Sequence, residues 1–178
     1  ISRADAEPQE TEADRLAEEW QTAPGQLWQC GAHRVLCGDS TDPAAWARLL
    51  AGRLADCVWT DPPYGVDYAG KNSMLAAYEK NTGKKKRNRI ETPIGGDQTP
   101  AAALSVTRAA MTLAHTHARP GAACYLCSPG GPDLRGMMEA FDAAGWKRAQ
   151  TLVWVKNQIV LARTDYNYQH EPLIYGWK

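Results

Sequence analysis

Four consecutive residues, Asp61-Pro62-Pro63-Tyr64, bring together a carboxylate, backbone carbonyls and a flat aromatic ring. The two prolines fix the backbone and remove two N–H donors, so the segment cannot continue a strand ladder. The carbonyls around them are left to accept hydrogen bonds from another molecule. Together with the Asp61 carboxylate they form an acceptor pair beside the Tyr64 ring. Such a set suits an exocyclic amino group on a planar base. A polyproline ligand is the weaker reading, because the Pro-Pro pair is short and follows a buried-type strand rather than a disordered tract.

The elements around this segment are the ones needed to hold it. Residues 55–60, Ala-Asp-Cys-Val-Trp-Thr, form a short apolar run that reads as a buried strand. Asp42-Pro43 pairs an N-cap with a proline at the first helical position and opens a helix that Gly52 ends. Thr99-Pro100 opens a second helix running to about residue 118, before Pro120-Gly121 breaks it. A strand over 122–127, a helix from Pro132-Asp133 to Gly145, a strand over 150–155 and another over 171–177 complete the pattern. This β-α-β-α-β alternation predicts a parallel sheet covered by helices. Right-handed crossovers would bring Asp61 and Ser128-Pro129-Gly130 to one sheet edge, where ligands bind in open α/β folds.

The tetrapeptide resembles the catalytic segment of amino-directed DNA methyltransferases, which act on adenine N6 or cytosine N4. Leu36-Cys37-Gly38-Asp39-Ser40-Thr41 resembles a short element that precedes it in the permuted, β-type members. Leu152-Val153-Trp154-Val155-Lys156-Asn157 and Gln169-His170-Glu171-Pro172-Leu173-Ile174-Tyr175-Gly176-Trp177-Lys178 resemble later strands of the same catalytic region. The resemblance covers roughly residues 28–178. It implies an α/β fold: a partial Rossmann-like, S-adenosylmethionine-dependent methyltransferase sheet with helices on both faces. It implies catalytic roles for Asp61, Pro62, Pro63 and Tyr64, a cofactor contact for Asp39, S-adenosyl-L-methionine as methyl donor, and double-stranded DNA with a flipped target base as substrate. Asp39 reads equally well as a turn residue capping a local loop. Aspartate at the first tetrapeptide position favours adenine over cytosine in this family, where serine is commoner for cytosine. Glutamine-directed relatives usually carry asparagine there. Cytosine N4 methylation is the nearest rival, and a non-catalytic DNA-binding fragment is the rival from another class.

No glycine fingerprint of the G-x-G-x-x-G kind follows a strand in this chain. In the permuted members the glycine element for S-adenosylmethionine lies after the catalytic half. The resemblance therefore implies an amino-terminal catalytic half over 23–178 that reaches Lys178 before that element, with weak cofactor binding of its own. Residues 1–22 read as an acidic linker or tail with one short helix over 14–20, resembling linkers to ParB-like domains in phage-type proteins. The setting implied is the bacterial cytoplasm or nucleoid, or a phage-encoded protein. Oligomeric state is left open.

Formal net charge is zero, but the average hides a split. Residues 1–20 carry −5 and residues 70–92 carry +5. Fields of this kind act within about 10 Å at ordinary salt. The basic stretch lies in a long aperiodic connection, 66–98, and includes Lys84, Lys85, Lys86, Arg87 and Arg89. Its composition suits a phosphate backbone, and its place directly after the tetrapeptide points the same way. Lys156 reads as a solvated strand end in preference to a phosphate contact. His115 and His117, near a helix end, suit the helix dipole and no catalysis. Five cysteines without a secretory leader argue against a disulfide framework. Cys124 and Cys127 lack a second ligand pair and read as small buried side chains. No apolar run approaches the roughly 20 residues that span a membrane.

Overall fold

The computed structural model describes residues 10–67, 95–160 and 165–178. The chain forms two compact units, residues 1–51 and 52–178.

The first unit holds helix α1 (Glu10–Trp20), strands β1 (Leu27–Cys30) and β2 (His33–Leu36), and helix α2 (Pro43–Leu50). β1 and β2 form an antiparallel hairpin that the sequence reading did not foresee. Its two-residue turn begins at Gly31, whose φ of 61° is the positive angle a II′ hairpin turn demands at its first central position. Asp42 caps α2 as expected, accepting from the Ala44 N–H at 2.9 Å. The left-handed residue that closes the helix is Ala51 (φ 50°), one position before the glycine expected there. Arg34 reaches across from β2 and donates to the Leu49 and Arg48 carbonyls at 2.6 and 2.8 Å. A cation thus meets the otherwise unpaired acceptors of the helix end.

The second unit holds β3 (Ala55–Thr60), α3 (Pro100–Thr116), β4 (Ala118–Cys127), α4 (Asp133–Ala143), β5 (Lys147–Val160) and β6 (Tyr168–Trp177). The sheet order is β3-β4-β6-β5. β3 pairs with β4 in parallel, and β6 pairs antiparallel with both β4 and β5. β3, β4 and β5 therefore share a direction, as the alternating pattern predicts for strands linked through helices. β6 reverses because it follows β5 without an intervening described helix, and a parallel return needs a crossover of a dozen or more residues. The result is a mixed α/β sheet.

Thr99 caps α3 through its hydroxyl oxygen, 3.1 Å from the Ala102 N–H, with Pro100 at the first helical position. Ala103, Thr107, Met111 and Ala114 form one buried stripe along α3. α4 buries Met137, Ala140 and Phe141. α3 and α4 come close at Gly136, where an added Cβ would lie 2.8 Å from Leu104. The sheet contributes Cys124, Leu126 and Ile174 to the core, all on one face by strand alternation. The Trp146 indole N–H donates to the Met111 carbonyl at 3.1 Å, so even the largest core ring has its polar atom satisfied. His115 stands in the last turn of α3, as expected. Burial, with Lys178 nearby, holds its pKa below the ordinary value. Lys178 donates to the His115 and Ala118 carbonyls at 2.7 and 2.9 Å.

The opposite sheet face carries aromatic rings side by side. Trp59 stacks on Tyr125 with centroids 5.1 Å apart, and Tyr125 lies 5.0 Å from Tyr175. Each is a cross-strand neighbour of the next.

Candidate active site at the carboxyl edge of the sheet

β3 ends at Thr60, paired with Leu126 of β4. Asp61 and Ser128 therefore leave the sheet at the same edge, as the topology predicts. Ser128 is fully buried, and its N–H donates to the Pro172 carbonyl at 3.0 Å. Its role is to tie the end of β4 to β6. Asp61 is exposed, and Pro62, Pro63 and Tyr64 are half-buried.

The Tyr64 hydroxyl donates to Asp61 Oδ1 at 2.7 Å. Burial raises the Tyr64 pKa first, followed by that hydrogen bond and by the charges of Asp61 and Glu171. The phenol accordingly stays protonated and keeps donating. The next turn is fixed from a distance. Asp97, 3% exposed, accepts from the Gly65 and Val66 N–H groups at 2.9 and 3.1 Å. Its own carbonyl accepts from the Asp67 N–H at 2.8 Å. Gly65 has φ 75°, and a Cβ there would clash with the backbone nitrogen of Pro100. Only glycine lets the loop lie this close to the start of α3.

A cavity of ≈ 380 Å³ opens at this edge, within the size range of small-ligand sites. The tetrapeptide lines one part of it, and Trp154, Lys156 and Glu171 line another. Strand alternation explains the second group. Trp154 and Lys156 are two apart on β5 and share a face, and Glu171 is the register partner of Trp154 on β6. Lys156 forms an ion pair with Glu171, the two side chains being 27% and 22% exposed. The Lys156 ammonium also lies 5.5 Å from the Trp154 ring centroid, within cation–π range. Cys127, beneath this group, has its thiol pushed up to about 11, by burial first and then by Asp61 and Glu171, against a lowering by Lys156.

Lys156 is thus no solvated strand end. The corrected reading places it in the cavity, because the strand continues past Val155 and carries the side chain into an ion pair with Glu171. Glu171 belongs to the His170-Glu171 pair, for which the sequence suggests packing or support of other groups in preference to direct chemistry, and it does support Lys156. Trp154 and Asp97 carry site geometry that the sequence left unassigned. A Trp-x-Lys alternation was visible for Trp154, whereas nothing local marks Asp97.

Asp39 belongs to the first unit. Its Oδ1 accepts from the Thr41 N–H and hydroxyl, both at 2.7 Å, and these bonds lower its pKa. A pocket of ≈ 130 Å³ lies beside it, lined by Leu36, Ala45, Trp46 and Leu49 among others. Lys84, Lys85, Lys86, Arg87 and Arg89 lie outside the described residues. Among the described residues no cluster of His, Cys, Asp or Glu could hold a metal ion, and no helix is long and apolar enough to cross a membrane.

No protein-family model and no curated protein matches the chain. Among solved structures, a Thermus thermophilus protein provisionally described as a DNA modification methylase aligns with 79% of this chain and 50% of its own, at 14% identity and a TM-score of 0.42. The chain thus spans half the length of that protein. A Thermoplasma acidophilum protein provisionally described as a methyltransferase aligns over 88% and 83%, at 12% identity and a TM-score of 0.32. At this level of likeness neither says what the present chain binds or does.

Proposed function

We propose that residues 23–178 are the catalytic half of a DNA methyltransferase that moves a methyl group from S-adenosylmethionine to adenine N6. Residues 1–22 are an acidic linker or tail in this reading. The observation that carries it is the placement of Asp61-Pro62-Pro63-Tyr64 at the carboxyl end of a strand, opening on a cavity of base-binding size.

The exocyclic amine of adenine is a poor nucleophile, because its lone pair is delocalised into the ring. Asp61 and the Pro62 carbonyl accept its N–H bonds, draw the nitrogen toward tetrahedral geometry and stabilise the positive charge that develops on it. Tyr64 holds one carboxylate oxygen. A carboxylate has about four acceptor sites, so this bond orients Asp61 without exhausting it. The Tyr64 ring offers a stacking surface worth about 1–3 kcal/mol to a base that has left the duplex. Extrusion itself costs a few kcal/mol, so stacking offsets a large share of it.

S-adenosylmethionine supplies an electrophilic methyl on sulfur. Asp39, oriented by its two hydrogen bonds from Thr41, suits a hydroxyl or ammonium of that cofactor. The pocket beside it is below the range of whole small-ligand sites, so it would hold only a part. The basic residues Lys84, Lys85, Lys86, Arg87 and Arg89 would follow DNA phosphates.

Cytosine N4 is the second reading, since the same acceptor pair fits its amine. The test is transfer of labelled methyl groups to duplex DNA, followed by digestion to nucleosides. N6-methyldeoxyadenosine supports the first reading and N4-methyldeoxycytidine the second. DNA binding without label, under conditions where calorimetry shows cofactor bound, would leave a non-catalytic DNA-binding module.

A further inference from the structure

We infer that Lys156, held in place by Glu171, reads the ring nitrogen beside the target amine and so restricts the site to amino bases. The inference rests on the amine-methylation reading above and names a specificity residue for that site.

The argument is one of complementary edges. Adenine presents an amine donor next to the N1 acceptor, and cytosine presents an amine donor next to the N3 acceptor. Guanine and thymine present a carbonyl acceptor next to a ring N–H donor. The cavity offers a carboxylate at Asp61 and an ammonium at Lys156. An acceptor and a donor lining one cavity match the first edge. The second edge meets two repulsive contacts, since a carboxylate would face a carbonyl and an ammonium would face an N–H.

Three features make Lys156 a positioned donor and not a passing cation. Glu171 pairs with it from the neighbouring strand, with both side chains about three-quarters buried. The Trp154 ring lies beneath its ammonium at 5.5 Å. Its own carbonyl accepts from the Gln169 amide at 3.1 Å, which pins the strand at that residue. An ammonium carries three donors, so pairing with Glu171 does not exhaust it. Glu171 is a positioning residue here, because it acts through Lys156.

A donor on the ring nitrogen withdraws density from the neighbouring amine. The contact therefore favours binding and selectivity without accelerating the transfer. Its loss should appear mainly in KM.

The test uses duplexes carrying either the target adenine or 1-deazaadenine, in which the ring nitrogen is replaced by C–H. If the product is N4-methylcytosine, 3-deazacytosine takes that place. Wild-type protein should disfavour the deaza base by roughly tenfold to a hundredfold in kcat/KM, the usual value of a charged hydrogen bond. Lys156→Met should shrink that ratio to within about threefold, chiefly by raising KM for the natural base. Lys156→Arg should keep most of the discrimination, and Glu171→Gln should give an intermediate ratio. A full wild-type ratio in Lys156→Met overturns the inference. A wild-type ratio near one overturns it without any variant, so the test survives a Met variant that fails to fold. If neither duplex is methylated, the methyltransferase reading fails and this one falls with it.

Discussion

The Tyr64 hydroxyl donates a 2.7 Å hydrogen bond to the carboxylate of Asp61, three residues earlier in the same loop. The ring offered for stacking is thus also the anchor that aims the proposed acceptor. The two roles separate by substitution.

Tyr64→Phe keeps the ring and removes the anchor, so methyl transfer should fall by about tenfold or less, the value of one hydrogen bond. Tyr64→Ala removes both and should cost a further tenfold or more through lost stacking. Asp61→Ala should abolish turnover with little change in melting temperature, because Asp61 is exposed. Near-wild-type turnover of Asp61→Ala on a verified substrate would remove it from the mechanism.

Asp97 and Gly65 support the loop from outside the chemistry. Asp97→Ala strips two loop N–H groups of their acceptor and should destabilise the fold by about 2–4 kcal/mol in urea unfolding. Asp97→Asn retains an acceptor oxygen and should cost less. Gly65→Ala forces a Cβ against the Pro100 backbone at positive φ and should cost about 2 kcal/mol or more. A neutral result for both alanine variants would mean the loop is held by other contacts.

Thr107 presents the opposite case. Among the described residues its Oγ1 is buried without a hydrogen-bond partner. Thr107→Val keeps the shape and removes the unmet hydroxyl, so stability should rise by about 1 kcal/mol. A lower melting temperature for the valine variant would show that the hydroxyl is satisfied after all.

Thiol chemistry divides the cysteines. Cys30, Cys37 and Cys57 are exposed, whereas Cys124 and Cys127 are buried. Burial pushes the Cys124 thiol up to about 12 and Cys127 up to about 11. An aromatic disulfide reagent at neutral pH should label the first three quickly and the other two only on unfolding. A raised thiol pKa means that the unfolded chain loses these protons first. The two thiols leave stability unchanged below pH ~9. From there up to pH ~11 for Cys127 and pH ~12 for Cys124, each should lower it with rising pH, by up to about 1.4 kcal/mol per unit. Rapid labelling of all five at pH 7 would contradict this burial.

The basic connection is tested by salt. Replacing Lys84, Lys85, Lys86 and Arg87 with Ala should weaken DNA binding about equally across sequences. Each lost phosphate contact should flatten the salt dependence by roughly one unit of slope. Titration at two ionic strengths reads the slope directly, and an unchanged slope would assign these residues to solvent.

What the sequence disclosed follows from the range of the interactions. Asp61 and Tyr64 are three residues apart, so their meeting is local and legible. The caps at Asp42 and Thr99 are equally local, and both formed. Lys156 and Glu171 meet only through the β5–β6 register, which shifts twice along its length. No count of positions along the chain yields that pairing. Asp97 reaches Gly65 across 32 residues, and its burial alone distinguishes it from an ordinary loop acid. The β1–β2 hairpin escaped because four-residue strands carry too little alternation to stand out. The αL cap at Ala51 shows the reverse error, a glycine rule applied one residue late, although Gly52 also takes a positive φ.

β6 follows β5 in the sequence yet lies between β4 and β5 in the sheet. On a ribosome β6 emerges after every other strand of its sheet. β3, α3 and β4 can dock as soon as they emerge, but β5 has no ladder to the rest of the sheet except through β6. Until β6 docks, β4 shows an open edge to any passing strand, and a stalled or clipped nascent chain would be prone to aggregate there. The pairing of β6 with β5 delivers Glu171 to Lys156. Docking of that pair on β4 then sets the Trp154, Lys156 and Glu171 wall across from the Asp61 loop, and a molecule without it would carry that loop without its opposite wall.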